Sequence, residues 1–416
     1  MTARDAALRS LTACRKNGAW SDGVLKEQLK SLDRRDAALA SRLCYGVLQN
    51  RMLLDFWISG FARGKMQPVV EDILRMAVYE FRFMDKIPAS AAVNEAVEQA
   101  KKYANPQAGR FVNGVLRNIL RAEELPMPRD PAVLYSHPRE LVDLLVSRFG
   151  EEKTIALLRS HNEAPDTVIQ VNPLKSTPVE TAAALLEAGA ECEPDHRLPG
   201  CLLVRGTGNL EQLPAFQNGW FYVQDAAARM AVEAAELQPG MKVLDCCAAP
   251  GGKSFAAAMA MKNQGEITSC DIHPHKLKLI DRGAERLGIS IITSRLQDAT
   301  KPVEEWQGKM DAVLCDVPCS GLGVIRKKPD IRYKDLKQTE NLPAVQSRIL
   351  ENVSACVRPG GVLIYSTCTI LKRENEDVAE AFLKNHREFT GEKMKTFLPC
   401  DDHTDGFFIC RLRRKP

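Results

Sequence analysis

The chain has 416 residues, 45% of them hydrophobic and 26% charged, which is typical of a globular protein and implies two or three domains. No apolar run approaches the ~20 residues of a transmembrane helix, and the charged N-terminus does not resemble a signal peptide, so we expect a cytoplasmic protein that does not enter a membrane. The net charge of +4 is uneven, because residues 1–130 carry 21 Lys and Arg against 15 Asp and Glu. That excess indicates nucleic-acid binding by the N-terminal third and fits an ordinary charged helical surface equally well.

The chain has thirteen cysteines, an odd number, and we see no signal peptide. Both observations favour reduced thiols over a disulfide framework. No pair has the C-x-x-C spacing of a zinc site. The nearest candidates are Cys270, His273 and His275, but two imidazoles so close together in a turn seldom converge on one ion. We therefore expect no metal site.

The first 124 residues have apolar positions at helical spacing, for example in DRRDAALASRLCYGVLQNRMLLDFWI. Prolines at positions 126, 128 and 131 cannot continue a helix and indicate a linker. The pattern predicts an all-helical domain over residues 1–128.

The pattern changes over residues 135–225. The helical stretch RELVDLLVSRFGEEKTIALLRS precedes a short strand, TVIQVN, a helix, PVETAAALLEAG, and two strand-like runs, CLLVRG and GWFYVQ. This order predicts a small α+β module.

From residue 226 to residue 416, strands alternate with helices. The predicted strands are MKVLDCCAA, EITSCDI, ISIITS, MDAVLCDV and GVLIYST. Such alternation predicts a parallel, doubly wound sheet of the Rossmann-like type, in which ligands bind beyond the carboxyl ends of the strands.

A glycine-containing loop follows the first of these strands and opens a helix. Its residues are Cys247, Ala248, Ala249, Pro250, Gly251, Gly252 and Lys253. Small residues let the backbone amides at a helix N-terminus approach a ligand, and the spacing is neither that of a Walker A loop nor that of the dinucleotide fingerprint. Asp271 and Asp298 follow the next two strands. Each alone is more often a helix cap, but together they favour an adenosyl ligand, with Asp271 at the ribose and Asp298 at the adenine.

Two cysteines follow the last two predicted strands, Cys319 in DVPCSG and Cys368 in STCT. A lone cysteine there favours a structural role, whereas a pair at the ligand edge favours chemistry. Carbon 5 of cytosine takes a methyl group only after a thiolate adds at carbon 6, and a carboxyl group such as Asp316 stabilises the charge that develops. Nearby cations favour the thiolate, and the run Arg326–Lys328 either supplies them or forms a solvated turn that binds phosphate.

These motifs resemble bacterial RNA 5-methylcytosine methyltransferases of the Sun/RsmB type. The resemblance extends over almost the whole chain and includes CAAPGGK, DVPCSGLGVIRKKPDIRY, GGVLIYSTCT and DGFFICRL. The helical segments RLCYGVLQNR, IPASAAVNEAVEQAKKY and RFVNGVLRN resemble a NusB-like RNA-binding domain, which points to the ribosomal-RNA branch. The middle module resembles an RRM-like segment, without a clear aromatic stacking motif.

The resemblance implies a multidomain enzyme: an all-α NusB-like domain, a small α+β module and a Rossmann-like class I methyltransferase domain. It implies Cys368 as nucleophile, Cys319 as the thiol that assists product release, and Asp316 facing the base. S-adenosyl-L-methionine would bind the 247–253 loop, Asp271, Asp298 and Asp316. The implied partner is 16S ribosomal RNA, either naked or in an assembling small subunit, and we expect a monomer. Ser254 and Thr369 depart from the family's usual threonine and serine but keep a hydroxyl group.

Three alternatives remain open at this point. The same chemistry on tRNA is the main enzymatic rival. A NusB-like binding or assembly factor with an inactive methyltransferase domain would lack Cys368 or Asp316, and both are present. An enzyme acting on exocyclic nitrogens would carry an Asn/Asp-Pro-Pro-Tyr/Phe motif where this chain has Asp-Val-Pro-Cys. DNA cytosine methyltransferases use a thiol in the position of Cys319, and the second cysteine separates this chain from them.

Overall fold

The structure, a computed structural model, describes residues 1–17, 21–122, 124–206 and 208–416. The part of the helical prediction that falls on residues 18–20 and 123 lies outside the described residues. The chain forms two compact units, one of Met1–Glu163 with Ile325–Lys334 and one of Ala164–Val324 with Asp335–Pro416. The domain boundaries 1–128, 135–225 and 226–416 stay predictions.

The first unit is helical, as the apolar periodicity predicts. Leu43, Leu54, Ile73, Leu116 and Ile119 are fully buried in its core. None of the helices in the described ranges is long and apolar enough to span a membrane. The helices of this unit are α1 (Ala3–Asn17), α2 (Ser21–Leu29), α3 (Arg34–Ser59), α4 (Pro68–Phe83), α5 (Ala89–Tyr103), α6 (Pro106–Arg121), α7 (Pro131–Leu134), α8 (Arg139–Phe149) and α9 (Glu151–Ser160).

A small antiparallel sheet begins the second unit. Its strands are β1 (Thr167–Val171), β2 (Glu191–Pro194), β3 (Cys201–Arg205) and β4 (Phe221–Val223), in the order β2-β3-β1-β4. Helix α10 (Pro178–Glu187) begins with a capping box between Thr177 and Glu180, and the helices α11 (Pro214–Gln217) and α12 (Ala226–Glu233) follow. The sequence analysis did not predict β2, whose side chains are mostly exposed.

A seven-stranded sheet with the order β10-β11-β9-β8-β5-β6-β7 forms the rest of this unit. Its strands are β5 (Lys242–Asp245), β6 (Glu266–Asp271), β7 (Ile292–Leu296), β8 (Met310–Asp316), β9 (Val357–Thr367), β10 (Phe389–Phe397) and β11 (Phe407–Arg414). Its helices are α13 (Gly252–Ala260), α14 (Pro274–Leu287), α15 (Leu342–Ser354), α16 (Glu376–Asn385) and α17 (Pro399–Asp402).

The sheet confirms the Rossmann-like prediction and corrects one part of it. Strands β5 to β9 pair in parallel, but β11 pairs antiparallel with both β9 and β10, so the sheet is mixed rather than purely parallel. The prediction missed β10 because its seven residues between Phe389 and Phe397 are exposed or partly buried and show no apolar alternation.

Candidate active site

The carboxyl ends of the parallel strands bring the predicted residues to one edge of the sheet. Asp245 ends β5, Asp271 ends β6 and Asp316 ends β8, while Cys368 directly follows β9. Because parallel strands end at the same edge, residues far apart in the chain become neighbours there. The side chains and loops at these strand ends form the candidate site.

The glycine-containing loop turns sharply between β5 and α13. The Ala248 amide donates to the Cys270 carbonyl at 2.7 Å, and Gly251 has a φ of +114°, in the region that favours glycine. A Cβ atom at Gly251 would lie 2.4 Å from the Phe255 ring, so a larger residue would displace that ring. Gly252 then begins α13, whose first amides have no acceptor within the helix.

The two aspartates after β6 and β7 each shape a turn. Asp271 Oδ1 accepts a hydrogen bond from the His273 amide at 2.9 Å, and Asp298 Oδ1 accepts from the Thr300 hydroxyl at 2.7 Å and from the Thr300 amide at 3.0 Å. The hydrogen bonds from Thr300 lower the pKa of Asp298. Neither aspartate is the N-cap of a helix, the local role that the sequence analysis weighed, because the residue before α14 is His273 and none of the described helices begins at Asp298. The roles of both aspartates toward a cofactor stay predictions.

Asp316 lies between a cation and a hydroxyl group. Lys253 Nζ donates to its Oδ2 at 2.7 Å, and Ser366 Oγ donates to its Oδ1 at 2.7 Å. Burial alone would lower the pKa of Lys253, but the charge and hydrogen bond of Asp316 leave it raised, so the lysine stays protonated. Lys253, which we expected to contact the cofactor, therefore also binds Asp316, the residue that we expected to face the base.

The two thiols predicted to act together are in contact. Cys319 Sγ and Cys368 Sγ are 3.2 Å apart, and both residues are partly buried. The hydrogen bond from Cys319 lowers the pKa of Cys368, and the positive charge of Lys253 acts in the same direction. The same hydrogen bond, together with burial, raises the pKa of Cys319 well above its ordinary value. The two shifts make Cys368 the more acidic thiol of the pair.

The positive charge that acts on Cys368 is that of Lys253. The run Arg326–Lys328, which the sequence analysis offered as a source of positive field, belongs to the segment that groups with the helical unit. There Arg326 helps to lower the pKa of His161.

The sequence analysis also missed residues behind the loop. Asp245 is completely buried, and burial raises its pKa to about 6. Its Oδ2 accepts from Ser254 Oγ at 2.7 Å, and Ser254 Oγ lies 2.7 Å from Ser269 Oγ. Asp245 is the last residue of its strand, as Asp271 is of the next one. This position at a strand end is the sequence feature that could have marked Asp245 as part of the site.

The residues present fit an adenosyl cofactor. The free amides at the start of α13 and the tight Gly251 turn suit a charged ligand that approaches the backbone closely. Asp271 supplies a carboxylate at the next strand end, where a ribose is bound in related sheets. Within the described ranges, no group of three or more His, Cys, Asp or Glu residues is placed to hold a metal ion.

Three family models match the chain in succession. The model described as NusB family matches residues 1–121, the ferredoxin-like domain of Methyltr_RsmF/B-like proteins matches residues 137–211, and 16S rRNA methyltransferase RsmB/F matches residues 232–413. These matches agree with the helical, small α+β and Rossmann-like order of the fold.

Similar proteins share the full length of the chain. It is 38% identical to a probable ribosomal RNA small subunit methyltransferase B of Bacillus subtilis, over 99% of this chain and 98% of that protein. Ribosomal RNA small subunit methyltransferase B of Vibrio cholerae is 32% identical, over 100% of this chain and 98% of that protein. The crystal structure of PH0851 covers 98% of both chains with a TM-score of 0.83 and 26% identity. NSun6 from Pyrococcus horikoshii, solved with SFG, shares the fold over 67% of this chain and 98% of that one, with a TM-score of 0.61 and 22% identity.

Proposed function

The chain belongs to the 16S rRNA methyltransferase RsmB/F family, and on that premise we propose that Cys368 is its nucleophile, Cys319 its releasing thiol and Asp316 its base-facing carboxylate. The enzyme uses S-adenosylmethionine to methylate carbon 5 of a cytosine in small-subunit ribosomal RNA through a covalent adduct. The observation that carries the assignment of residues is the 3.2 Å contact between two thiols of opposite pKa shift.

The attack begins from the Cys368 thiolate. Its sulfur forms a bond to carbon 6 of cytosine, and the electron pair of the carbon 5–carbon 6 double bond moves toward carbon 5 and the ring nitrogens. A proton that passes from the carboxyl group of Asp316 to ring nitrogen 3 neutralises that charge. Lys253 and Ser366 are placed to stabilise the carboxylate that this transfer leaves behind.

Release requires the second thiol. Once carbon 5 carries the methyl group, its proton must leave, and the electrons of that carbon–hydrogen bond restore the double bond and expel the Cys368 thiolate from carbon 6. Cys319 is the nearest candidate route for this proton, since its sulfur already contacts Cys368. Adduct formation removes the hydrogen bond to the Cys368 thiolate, which is the first cause of the raised pKa of Cys319. Cys319 can then lose its own proton to solvent and accept the proton from carbon 5.

The cofactor supplies an electrophilic methyl group when bound. We propose that the backbone of residues 247–253, together with Asp271 and Asp298, holds it. The amides of the loop and of the α13 N-terminus would bind a negatively charged group of such a ligand, and Asp271 would accept hydrogen bonds from ribose hydroxyls.

We propose 16S ribosomal RNA in the cytoplasm as the substrate, either naked or in an assembling subunit, and a monomeric enzyme. Helix α6 supports an RNA partner, because it contains no Asp or Glu and exposes three arginines. Arg110, Arg117 and Arg121 are seven and four residues apart, so they lie on one face of the helix. Arginines so placed suit a run of phosphates. Bisulfite sequencing of RNA from a deletion strain separates this proposal from the tRNA alternative, since the lost signal identifies the target.

The two thiols can be tested separately. We expect Cys319→Ser to accumulate a covalent protein–RNA complex, seen as a retarded band on a denaturing gel, because attack proceeds and elimination stalls. Cys368→Ala and the double variant should form none and should still bind S-adenosylmethionine. An adduct that survives in Cys368→Ala and is absent from Cys319→Ser would reverse the two roles, and continued methylation without any adduct would reject covalent catalysis.

A further inference from the structure

A buried carboxylate lies behind the two thiols, and the mechanism above does not use it. Glu374 is 0% exposed and ends the short helical turn that follows the Cys368 loop. Its Oε2 accepts from the backbone amide of Ser320, the residue after Cys319, at 2.9 Å. Its backbone carbonyl accepts from the Tyr365 hydroxyl at 2.5 Å, which fixes the turn to β9.

A glutamine completes the attachment to the Cys319 loop. Gln346 in α15 is also 0% exposed, and its Nε2 donates to Glu374 Oε2 at 2.9 Å and to the Pro318 carbonyl at 2.9 Å. The carboxylate thus contacts the peptide after Cys319 directly and the peptide before it through Gln346. Glu374 Oε1 has no hydrogen-bond partner among the described residues, so only one of its oxygens is used for this attachment.

The electrostatic effect of Glu374 is directed at one thiol. Its negative charge is among the causes that raise the pKa of Cys319, after the hydrogen bond, burial and the charge of Cys368. The other charges around the pair are Asp316, which opposes ionisation of both thiols, and Lys253 and Asp405, which act on Cys368 in opposite directions. Glu374 therefore acts on Cys319, whereas Lys253 and Asp405 act on Cys368, although the two sulfurs are only 3.2 Å apart.

We propose that Glu374 is a positioning residue that keeps the shared proton on Cys319 and thereby assigns the attack to Cys368. This inference rests on the proposed function. The hydrogen bond from Ser320 holds the carboxylate on the Cys319 side, where a second negative charge is disfavoured. Removal of that charge would let the proton move between the sulfurs, and part of the resting enzyme would then carry its thiolate on the wrong residue.

Alkylation of the full-length protein measures where the thiolate resides without RNA or cofactor. Iodoacetamide reacts with thiolates, and peptide mass spectrometry separates Cys319 from Cys368. In the wild-type protein we expect Cys368 to react first. In Glu374→Gln, which has nearly the same shape, the preference for Cys368 should fall by about tenfold.

Matched variants separate charge from shape. Gln346→Met removes the glutamine hydrogen bonds but leaves the carboxylate, and Glu374→Asp keeps the charge, so both should retain more of the preference than Glu374→Gln. The proposal is overturned if Glu374→Gln keeps the wild-type preference or if the two control variants lose as much as it does. Titration with S-adenosylmethionine checks that each variant is folded. First reaction of wild-type protein at Cys319 would overturn the proposed function instead, because the nucleophile would be misassigned.

Discussion

The two units of the chain bury positive charge in opposite ways. In the second unit, Lys253 lies 2.7 Å from the carboxylate of Asp316, and its charge acts on the Cys368 thiol. In the helical unit, Arg332 is 1% exposed, and its guanidinium donates to neutral oxygens. These acceptors are the carbonyls of Gln49, Tyr135, Ser136 and His161 and the side-chain oxygen of Asn162, at 2.8–3.4 Å.

The pKa shifts show what each arrangement is suited to. The charge of Asp316 leaves the pKa of Lys253 raised in spite of burial, whereas burial lowers the pKa of Arg332 to about 10. A cation paired with a carboxylate can influence a neighbouring thiol, as Lys253 does. A cation surrounded by carbonyls satisfies the backbone around it and holds those segments together. We therefore expect the first arrangement to serve chemistry and the second to serve stability.

The largest effect should come from the removal of the buried cation. Arg332→Met removes the guanidinium that donates to the His161 carbonyl and to the Asn162 side-chain oxygen, and we expect it to destabilise the helical unit by about 3–5 kcal/mol. Hydrogen exchange in peptides that cover α3 and α9 reports this locally, without assuming that the whole chain unfolds in one step. Arg129→Met removes an exposed arginine from the same unit and is the matched control. Equal protection from hydrogen exchange in the two variants would show that the buried guanidinium contributes no more to stability than the exposed one.

A smaller effect is expected at the strand ends. Asp271→Ala should weaken S-adenosylmethionine binding by roughly 1.5–3 kcal/mol, about 10- to 150-fold, through loss of hydrogen bonds to a charged group. Isothermal titration measures it, with Asp281→Ala, an exposed carboxylate on α14, as control. Unchanged affinity of Asp271→Ala for S-adenosylmethionine would exclude this residue from the cofactor site. Its hydrogen bond in the turn with His273 would then be its only assigned role.

The smallest effect concerns the histidines that contact the Arg332 region. His137 Nδ1 lies 2.7 Å from the Tyr135 carbonyl and its Nε2 lies 3.1 Å from His161 Nδ1, an arrangement that suits two neutral rings. Burial and then the charge of Arg332 lower the pKa of His161 to about 3, below its ordinary value of about 6.5. The unfolded chain therefore binds the extra proton first, and stability is lost as the pH falls from about 6.5 toward 3.

At pH 5 the loss from His161 should amount to roughly 2 kcal/mol relative to pH 7, with His137 acting in the same direction. Hydrogen exchange of the helical unit at the two pH values measures it. His161→Asn should reduce the pH dependence, while His196→Gln, which removes an exposed histidine, should not. A dependence that is identical in wild type and His161→Asn would rule out this histidine as its source.

The reactive edge was largely predictable from sequence because its residues belong to local motifs. Asp316 ends a strand whose apolar pattern is clear, Cys319 and Cys368 follow such strands, and parallel pairing brings the strand ends together. The proximity of the thiols follows from that topology. The opposite directions of their pKa shifts do not, since these depend first on the hydrogen bond between the two sulfurs and then on burial and on charges such as those of Lys253 and Glu374.

The residues that sequence analysis missed depend on long-range packing. Glu374 lies in the charged run LKRENED, which indicates an exposed helix start, and only the Ser320 amide and Gln346 explain its burial. Arg332 lies in a basic run typical of a solvated turn, yet its acceptors come from residues 170 to 283 positions earlier in the chain. Neither environment produces a periodic or local pattern in the amino-acid sequence.

The placement of Ile325–Lys334 in the helical unit limits how the protein can be shortened. A fragment that begins at residue 164 would retain this segment but lose the helices that cover it. Ile325 and Ile331, both buried in the intact chain, would then be exposed, and the guanidinium of Arg332 would lose its acceptors. Such a fragment would be prone to aggregation, although it contains every predicted cofactor and thiol residue. Expression of the methyltransferase domain alone therefore calls for redesign of these ten residues, or for supply of the helical unit as a separate chain.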